Sequence, residues 1–412
     1  MMPPDRDGAA DAPPRAGRPG EDAEQLHVVR PANSGPRRRR VVVVASFSPS
    51  LTRFRLELLK RMTEAGHAVI ALAPEDDSEV SDELAAIGVR FMTIPMARAG
   101  INPIEDLQTI GALWRRLREL KPDAIVPYTM KPIIYGGIAA RLAGIGERSF
   151  LVTGLGYVFS DMPASARHGL VRRLSVWLYR RAFTGARVVF AYNEADVADI
   201  IGHRMLGPAV PLVRVAGSGV DLDHYRCSPP PSGPPVFLLV ARLLKDKGIH
   251  DFVEAARIVR RTMPQAEFRL LGQFDPNPSA ISEGEVEGWV REGILTYLGE
   301  TSDVRPHLAA CSVFVLPSYY REGIPRSILE AMSTGRAIIT TDMPGCRDTV
   351  EPGVNGYLVK REDPQALAAA MLDFIREPSR IKAMGERSRE LATRKFDVHA
   401  VNRMLLVNMG LA

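Results

Sequence analysis

The chain has 412 residues, which is too long for one ordinary hydrophobic core, so its length predicts two domains. Hydrophobic residues make up 46% of the chain and charged residues 25%, which is typical of soluble globular proteins. No apolar stretch approaches the roughly 18–20 residues of a membrane-spanning helix. The net charge of +5 does not by itself choose between nucleic acid, an anionic membrane and a phosphate-bearing substrate.

The N-terminal residues and the cysteines are those of a cytoplasmic protein. Residues 1–40 are rich in Pro, Arg and Asp without an apolar core, so they predict a disordered leader and not a signal peptide. The four arginines that end this leader are either a solvated tail or a point of attraction to anionic lipid. Cys227, Cys311 and Cys346 are widely spaced and odd in number, which argues against a disulfide framework or a cysteine zinc site.

From residue 41 onward, apolar runs typical of buried strands alternate with segments of helical periodicity. The strands are predicted at residues 41–47, 68–73, 89–94, 124–128, 149–153 and 187–192. The helices are predicted at residues 53–65, 81–87, 104–120, 134–143 and 164–183. Strands separated by helices indicate a mostly parallel sheet covered on both faces, and we assign residues 41–216 to this N-terminal domain.

The alternation stops at residues 217–235, where five prolines and three glycines indicate an interdomain linker. A second α/β run follows, with strands at 236–240, 266–271, 295–298, 311–318 and 336–342 and helices at 248–262, 303–310 and 325–335. Residues 364–409 are predicted to be helical throughout. We assign residues 236–395 to a second doubly wound domain and expect 396–412 to pack back toward the first. Ligands are then expected in the cleft between the domains.

Residues 320–335 read YREGIPRSILEAMSTG and contain two carboxylates, Glu322 and Glu330. Glu322 is expected in the loop after a buried strand, and Glu330 inside the next helix. Pro325 suits the first position of that helix and Gly335 its C-terminal cap. Because ligands bind at the carboxyl edge of an open parallel sheet, both carboxylates can face one ligand.

The first strand of the second domain runs into ARLLKDKG, residues 241–248. Arg242 falls at the end of the strand and Lys247 opens the next helix, on the edge that also carries Glu322. Arginine grips phosphate oxygens bidentately and lysine supplies a point charge, so the two cations can clamp a diphosphate.

Motifs in both domains follow one family pattern. They are RLLKDKG at 242–248, the two-carboxylate motif at 322–335, VNGYLV at 354–359, YTMKPIIYGGIAARLAG at 128–144 and TGLGYVF at 153–159. Together they resemble the fourth family of retaining glycosyltransferases. Those of the first domain resemble a bacterial subgroup that builds capsule, lipopolysaccharide O-antigen or N-glycan precursors on undecaprenyl diphosphate. The resemblance covers about residues 41–410.

The resemblance implies a GT-B fold, with an acceptor-binding N-terminal domain and a nucleotide-sugar-binding C-terminal domain. It implies transfer of a hexose or N-acetylhexosamine, with retention, from a nucleotide-diphosphate sugar to a polyprenyl-diphosphate-linked saccharide. By position, Arg242 and Lys247 would hold the donor diphosphate, Glu322 would face the donor sugar, and Glu330 would bind the ribose hydroxyls. The donor-binding prediction is completed by Gly323, Ile324, Pro325, Ser327 and Gly154.

The expected chemistry does not require a metal. Breaking a sugar–phosphate bond leaves negative charge on the departing diphosphate, which two fixed cations can stabilise. No Asp, His or Cys group has metal-ligand spacing, so we expect neither a metal nor a cofactor besides the donor substrate. The wider family often has a His on the first-domain side of the cleft. Here TGLG from Thr153 occupies that region, and His168 and His203 lie elsewhere, so deprotonation of the acceptor is unassigned.

Three first-domain residues, Lys131, Tyr128 and Arg55, are the predicted acceptor-binding residues. Lys131 follows a predicted strand in YTMKP and could bind the diphosphate or the carbohydrate of the acceptor; an ordinary loop lysine is the alternative.

Residues 167–183 combine five arginines with Leu170, Leu174 and Trp177 at helical spacing. A basic amphipathic helix with a Trp is typical of an anionic membrane surface, and a helix with a merely solvated basic face is the alternative. A lipid-linked acceptor requires such docking, so we expect a cytoplasmic protein peripheral on the inner face of the cell membrane.

A nucleotide-sugar epimerase and a non-catalytic donor-sensing subunit are the two alternative functions. A nucleotide-sugar epimerase also uses two such domains, but the two-carboxylate motif and RLLKDKG disfavour it. A non-catalytic donor-sensing subunit is disfavoured because all four charged donor residues are present. Nucleic-acid binding has only the basic leader in its favour.

Overall fold

The computed structural model describes residues 37–97, 102–159, 166–277 and 279–412. Apart from its last four residues, the predicted leader therefore lies outside the described residues.

The first domain is a parallel sheet with strand order β3-β2-β1-β4-β5-β6-β7 in the part of the chain that the structure describes. Its strands are β1 (Arg40–Val44), β2 (Ala68–Ala73), β3 (Arg90–Thr93), β4 (Ala124–Pro127), β5 (Glu147–Val152), β6 (Val188–Ala191) and β7 (Leu212–Arg214). The helices are α1 (Pro49–Glu64), α2 (Ser78–Ala86), α3 (Pro103–Leu120), α4 (Gly137–Leu142), α5 (Ala166–Phe183) and α6 (Glu194–Gly202). A π-helical turn, Pro132–Gly136, leads into α4.

The second domain repeats this architecture with strand order β10-β9-β8-β11-β12-β13. Its strands are β8 (Val236–Val240), β9 (Glu267–Leu271), β10 (Thr296–Tyr297), β11 (Val313–Leu316), β12 (Ala337–Thr341) and β13 (Gly356–Val359). The helices are α7 (Ile249–Thr262), α8 (Glu283–Arg291), α9 (Arg305–Ala309), α10 (Arg326–Ser333), α11 (Pro364–Arg376), α12 (Ser379–Lys395) and α13 (Val398–Met409). Two doubly wound parallel sheets confirm the predicted fold class.

Strand β1 shows why the sheets are covered on both faces. Val41 and Val43 point into one hydrophobic layer, while Val42 and Val44 point into the other. Side chains alternate across a strand, so a continuous valine run is suited to a sheet with helices on both sides.

Some boundaries and elements differ from the sequence predictions. Pro325 occupies the N-cap position just before α10 and not the first helical position, because its ψ of 118° is extended. Four elements were not predicted: α6, β7, α8 and β13. The strands β7 and β13 have three and four residues, which is too short to establish a period of two.

The last helix of the chain, α13, lies on the first domain and not on the domain that precedes it. Leu405 and Leu406 of α13 share a buried cluster with Leu58 and Leu59 of α1. The His67 ring nitrogen Nε2 lies 3.1 Å from the carbonyl oxygen of Leu411. The end of the chain thus contributes to the first hydrophobic core.

The two chain crossings between the domains run side by side. The Val220 amide donates to the Phe396 carbonyl at 2.7 Å, and the Val398 amide donates to the Val220 carbonyl at 3.0 Å. A Cβ on Gly219, where φ is +70°, would lie 2.6 Å from Val398 Cα, so glycine permits this close approach. The two segments that connect the domains are therefore hydrogen-bonded to each other.

Because Leu405 is fully buried, Leu405→Ala is expected to lower the free energy of unfolding by about 2–5 kcal/mol. Denaturant unfolding monitored by fluorescence would measure this change. Met404 is the neighbouring residue of the same helix and is 39% exposed, so Met404→Ala should change stability by less than about 0.5 kcal/mol. Equal effects of the two variants would show that α13 is not part of the first core.

Candidate active site

The candidate site lies where the strand order of the second sheet reverses, between β8 and β11. Open α/β sheets bind ligands at this point, beyond the carboxyl ends of the strands. The loop after β8 ends at Gly248, whose φ is +73° and whose Cβ would lie 2.1 Å from the Pro317 carbonyl oxygen. Only glycine allows this approach, which brings the loop with Arg242 and Lys247 against the loop with Glu322.

Lys247 and Glu322 form an ion pair across this reversal point. Both side chains are 13% exposed. The Ser318 hydroxyl donates to the same Glu322 oxygen, Oε1, at 3.1 Å, and Lys247 Nζ lies 5.2 Å from the centre of the Tyr320 ring. The predicted phosphate-binding lysine and the predicted sugar-binding carboxylate are therefore in direct contact.

Arg242 is paired with Asp275, a residue that the sequence analysis did not identify. Arg242 Nη1 donates to Asp275 Oδ2 at 2.7 Å, and the arginine side chain is 42% exposed whereas that of Asp275 is 9% exposed. Asp275 lies in the loop after β9, at the same edge of the sheet. This position could have indicated Asp275 as a site residue from the sequence, because polar residues that follow parallel strands lie at the same edge of the sheet.

Glu330 is held by two side chains, one from the linker and one from α10. The Tyr225 hydroxyl donates to Glu330 Oε1 at 2.9 Å, and Arg326 Nε donates to the same oxygen at 3.1 Å. Burial raises the pKa of Glu330, and the nearby Arg326 guanidinium and the Tyr225 hydroxyl oppose that rise. Tyr225 comes from the linker, which the sequence analysis assigned no part in the site.

The first domain covers the Glu322 loop at two glycines. Gly154 has a φ of +118°, and a Cβ there would lie 2.9 Å from the Gly323 nitrogen. A Cβ on Gly323 would lie 2.2 Å from the Thr153 carbonyl oxygen. Gly154 and Gly323 therefore allow the main chains of the two domains to approach closely, and the role of Gly154 toward a donor stays a prediction.

The other predicted donor residues surround this contact. Ile324 packs against Gly217, where a Cβ would lie 2.8 Å from the isoleucine Cβ. Pro325 is buried and Ser327 is partly buried at the start of α10. Their roles toward a donor remain predictions.

The comparisons with known proteins agree with this geometry. A "Glycosyl transferases group 1" family model matches residues 234–377, and a "Glycosyl transferase 4-like domain" model matches residues 50–217. An N,N'-diacetylbacillosaminyl-diphospho-undecaprenol alpha-1,3-N-acetylgalactosaminyltransferase from Campylobacter jejuni is 30% identical over 343 residues, which span 80% of this chain and 87% of the relative. The chain belongs to the group 1 glycosyltransferases.

Further relatives and solved structures support the same family and fold. A UDP-Gal:alpha-D-GlcNAc-diphosphoundecaprenol alpha-1,3-galactosyltransferase from Escherichia coli is 27% identical, over 69% of this chain and 74% of the relative. Sucrose-phosphate synthase from Thermosynechococcus elongatus superposes with a TM-score of 0.74 at 19% identity, covering 89% of this chain and 97% of that one. HepE of Anabaena, solved with UDP, superposes with a TM-score of 0.69 at 19% identity, covering 89% of this chain and 98% of that one. These neighbours show the GT-B fold, and the matches give no support to the epimerase alternative.

In this glycosyltransferase, a polar junction ties the Glu322 loop to the first domain. The Asn193 side-chain amide donates to the carbonyls of Glu322 at 3.0 Å and Gly323 at 3.1 Å. Asn193 also caps α6 by accepting from the Asp196 amide at 2.8 Å. Asn193 is not among the predicted site residues, although Asn before a first turn that contains acidic residues is a helix-start signal.

Asp196 is fully buried in this junction and lies among several polar groups. The Leu155 amide donates to Asp196 Oδ1 at 3.3 Å, and Asn193 donates to Asp196 Oδ2 at 2.9 Å. Burial raises the pKa of Asp196 to about 6, although Arg321 and these hydrogen bonds oppose the rise. Asp199 is a further negative charge nearby and adds to the rise.

The predicted acceptor residues differ in their accessibility. Arg55 is buried, with its guanidinium 4.9 Å from the Tyr128 ring centre and its Nη2 donating to the Tyr192 hydroxyl. Tyr128 is also buried and shares a 2.7 Å hydrogen bond with the Ser50 hydroxyl. Lys131 is partly exposed and forms an ion pair with Asp106 at 3.3 Å. Of the three, Lys131 alone presents its charge near the surface.

His203 does not reach the site, whereas the His224 ring lies 4.9 Å from that of Tyr225, the partner of Glu330. His203 lies at the end of α6, with its ring 5.8 Å from that of Phe159, and the side chain of His168 lies outside the described residues. Within the described ranges, no group of three or more His, Cys, Asp or Glu side chains could hold a metal ion.

Asp196→Asn is expected to flatten the dependence of stability on pH. The folded-state pKa of about 6 exceeds the ordinary value of 3.8, so ionising Asp196 costs stability as pH rises from about 4 to 7. The variant should avoid this cost, which is about 3 kcal/mol for a difference of roughly two pKa units. Denaturant unfolding at several pH values would measure the difference, and parallel curves for the two proteins would contradict the assignment.

Proposed function

We propose that this glycosyltransferase transfers a hexose or N-acetylhexosamine, with retention and without a metal ion, from a nucleotide-diphosphate sugar to a polyprenyl-diphosphate-linked saccharide. The observation that carries the proposal is the ion pair between a cation of the loop after β8 and a carboxylate of the loop after β11, with a second cation on the first loop and a second carboxylate on α10. These are Arg242, Lys247, Glu322 and Glu330.

Each charged residue has a separate task toward the donor. Arg242 and Lys247 bind the two phosphates, and Glu322 accepts hydrogen bonds from the sugar hydroxyls. Both hydrogen bonds described for Glu330 reach Oε1, so its Oε2 is the oxygen that we assign to the ribose hydroxyls. Gly323 and Ile324 precede α10, whose N-terminus favours the negative diphosphate.

The proposed reaction breaks the bond between the anomeric carbon and the diphosphate oxygen, and the electron pair leaves with the diphosphate. The acceptor hydroxyl forms the new bond on the same face of the sugar, and its proton passes to the departing phosphate oxygen. Arg242 and Lys247 stabilise the charge that develops on the leaving group, which is the task that a metal ion has in other enzymes.

The acceptor assignment is supported by the names of two relatives. The Campylobacter jejuni and Escherichia coli enzymes are both named for transfer to a sugar on diphosphoundecaprenol. In the first domain, the strand order reverses between β1 and β4, and Lys131 follows β4 at that edge. We assign Lys131 to the acceptor diphosphate or sugar, in the assembly of a surface polysaccharide or glycan at the inner face of the cell membrane.

Substitution of the two cations tests the donor assignment. Arg242→Ala and Lys247→Ala should each reduce transfer by about 10²–10³-fold, because the leaving group loses a fixed charge partner. UDP-, GDP-, ADP- and dTDP-sugars are first screened for thermal stabilisation of the protein. Turnover is then measured with the stabilising donor and a polyprenyl-diphosphate saccharide, in buffer with EDTA and in buffer with Mg²⁺.

Lys245→Ala is the matched control, because Lys245 is in the same loop but its side chain is exposed. This variant should keep nearly full activity. Near-normal activity of both cation variants would refute the donor assignment, and loss of activity in EDTA alone would refute metal independence.

Helix α5 is the surface that we assign to the membrane. Leu170, Leu174 and Trp177 are exposed at spacings of four and three residues, and Arg172 and Arg173 are exposed beside them. Val176 and Phe183 on the other side are buried. Apolar side chains next to solvated arginines suit an anionic lipid surface. None of the described helices has the length and apolar character needed to span a membrane.

Two of the five arginines have local contacts that limit their part in docking. Arg180 donates to the carbonyls of His203 at 2.6 Å and Arg204 at 3.0 Å. The Arg181 guanidinium lies 5.3 Å from the centre of the Trp177 ring. Arg172 and Arg173 are therefore the better residues for a charge-reversal test.

Flotation with phosphatidylglycerol-containing vesicles tests the membrane surface. The wild-type protein should float with the vesicles, and Arg172→Glu/Arg173→Glu should abolish flotation because charge attraction becomes repulsion. Lys382→Glu/Arg387→Glu on α12 makes the same charge change at exposed residues of the second domain, so it should float like the wild type. Unchanged flotation of the α5 variant would show that this helix is not the docking surface.

A further inference from the structure

Arg321 precedes Glu322 in the chain, yet its side chain lies in the first domain. Its Nη2 forms an ion pair with Asp199 and lies 3.6 Å from Asp196 Oδ1. Its Nη1 donates to the Phe159 carbonyl at 2.6 Å. The side chain is 11% exposed, and Asp196 is fully buried. A residue of the Glu322 loop thus has its described ion-pair and hydrogen-bond partners in the first domain.

Adjacent side chains in this loop point to different targets. The Arg321 guanidinium contacts α6 of the first domain, whereas the Glu322 carboxylate contacts Lys247 of the second domain. Asn193 of the first domain holds the carbonyls of Glu322 and Gly323. The main chain that carries Glu322 is therefore held from the first domain on both sides of its Cα.

We propose that Arg321 is a positioning residue, which couples closure of the two domains to the placement of Glu322 against the donor. Separation of the domains removes Asp196, Asp199 and the Phe159 carbonyl from Arg321. It also removes Asn193 from the loop, so Glu322 loses its fixed main-chain position. A buried charge pair suits this task, because a guanidinium and a carboxylate that stay buried without their partner are strongly destabilising. The inference rests on the proposed donor role of Glu322.

The decisive variants change the charge pair without changing the donor residues. Arg321→Met keeps an unbranched side chain of similar length up to Nε but removes the guanidinium and its charge, and Asp199→Asn removes one partner. Arg321→Asp/Asp199→Arg exchanges the two charges. Arg347→Met is the matched control, because Arg347 is an exposed arginine paired with Asp342 within the second domain.

With the donor from the screen, Arg321→Met and Asp199→Asn should lower kcat at least tenfold while KM for the donor changes less than threefold. The exchanged pair should recover at least fivefold in kcat over Arg321→Asp alone, and Arg347→Met should match the wild type. Unchanged kcat in Arg321→Met would overturn the proposal. The proposal would also be overturned if Arg321→Met lowered kcat and at the same time lowered the melting temperature and the thermal stabilisation that the nucleotide sugar gives the protein.

A second measurement does not depend on turnover. Small-angle X-ray scattering of the full chain without donor should give a larger radius of gyration for Arg321→Met than for the wild type and Arg347→Met. Equal radii would overturn the coupling to closure. If the wild type transfers no sugar but the radii differ as expected, the donor assignment fails while the interdomain role of Arg321 stands.

Discussion

The arrangement of the cleft depends on the contact between two glycine backbones from different domains. A Cβ on Gly154 would reach the Gly323 nitrogen, and a Cβ on Gly323 would reach the Thr153 carbonyl. From the other side, Gly345 has a φ of +81° and would place its Cβ 2.1 Å from the Gly323 carbonyl oxygen. The Glu322 loop is thus enclosed by main chain of both domains. Because no side chain separates them, Arg321 and Asn193 can join across the boundary while Glu322 stays directed at Lys247.

Arg55 and Tyr128, two of the predicted acceptor residues, are connected to the same loop through buried aromatic side chains. Arg55 lies 4.9 Å from the Tyr128 ring centre and 5.7 Å from that of Tyr192. The Tyr192 ring in turn lies beside Gly323, where a Cβ would be 3.1 Å from Tyr192 Cδ2. Burial raises the pKa of Tyr128 to about 12, so this hydroxyl stays protonated and can donate at neutral pH. The Arg55 guanidinium is thus buried beside the two tyrosine rings, and the Tyr192 ring lies beside the Glu322 loop.

The sequence predicts the parts of this structure that depend on local pattern and on the geometry of parallel sheets. Arg242 and Glu322 follow two buried strands, and the carboxyl ends of parallel strands meet at one edge, so their proximity is predictable. Asp275 also follows a strand at this edge, but neither its pairing with Arg242 nor that of Tyr225 with Glu330 can be predicted in this way. Their partners depend on the paths of irregular loops, which have no period. The role of Asn193 was missed because α6 was not predicted, although its capping signal is present in the sequence.

Arg242 and Lys247 are each paired with an acid, and on the proposed function these pairs affect how a donor must bind. Arg242 has Asp275 as its partner and Lys247 has Glu322. Unpaired charges would be costly at Lys247 and Glu322, which are 13% exposed, and at Asp275, which is 9% exposed, so these pairs stabilise the site. On the proposed function, a diphosphate that takes Lys247 from Glu322 leaves that carboxylate without its cation. The hydroxyls of the donor sugar can satisfy the carboxylate, whereas a free nucleoside diphosphate has no group in that position. The exchange of partners therefore favours the intact nucleotide sugar over the nucleotide product, which assists release after transfer.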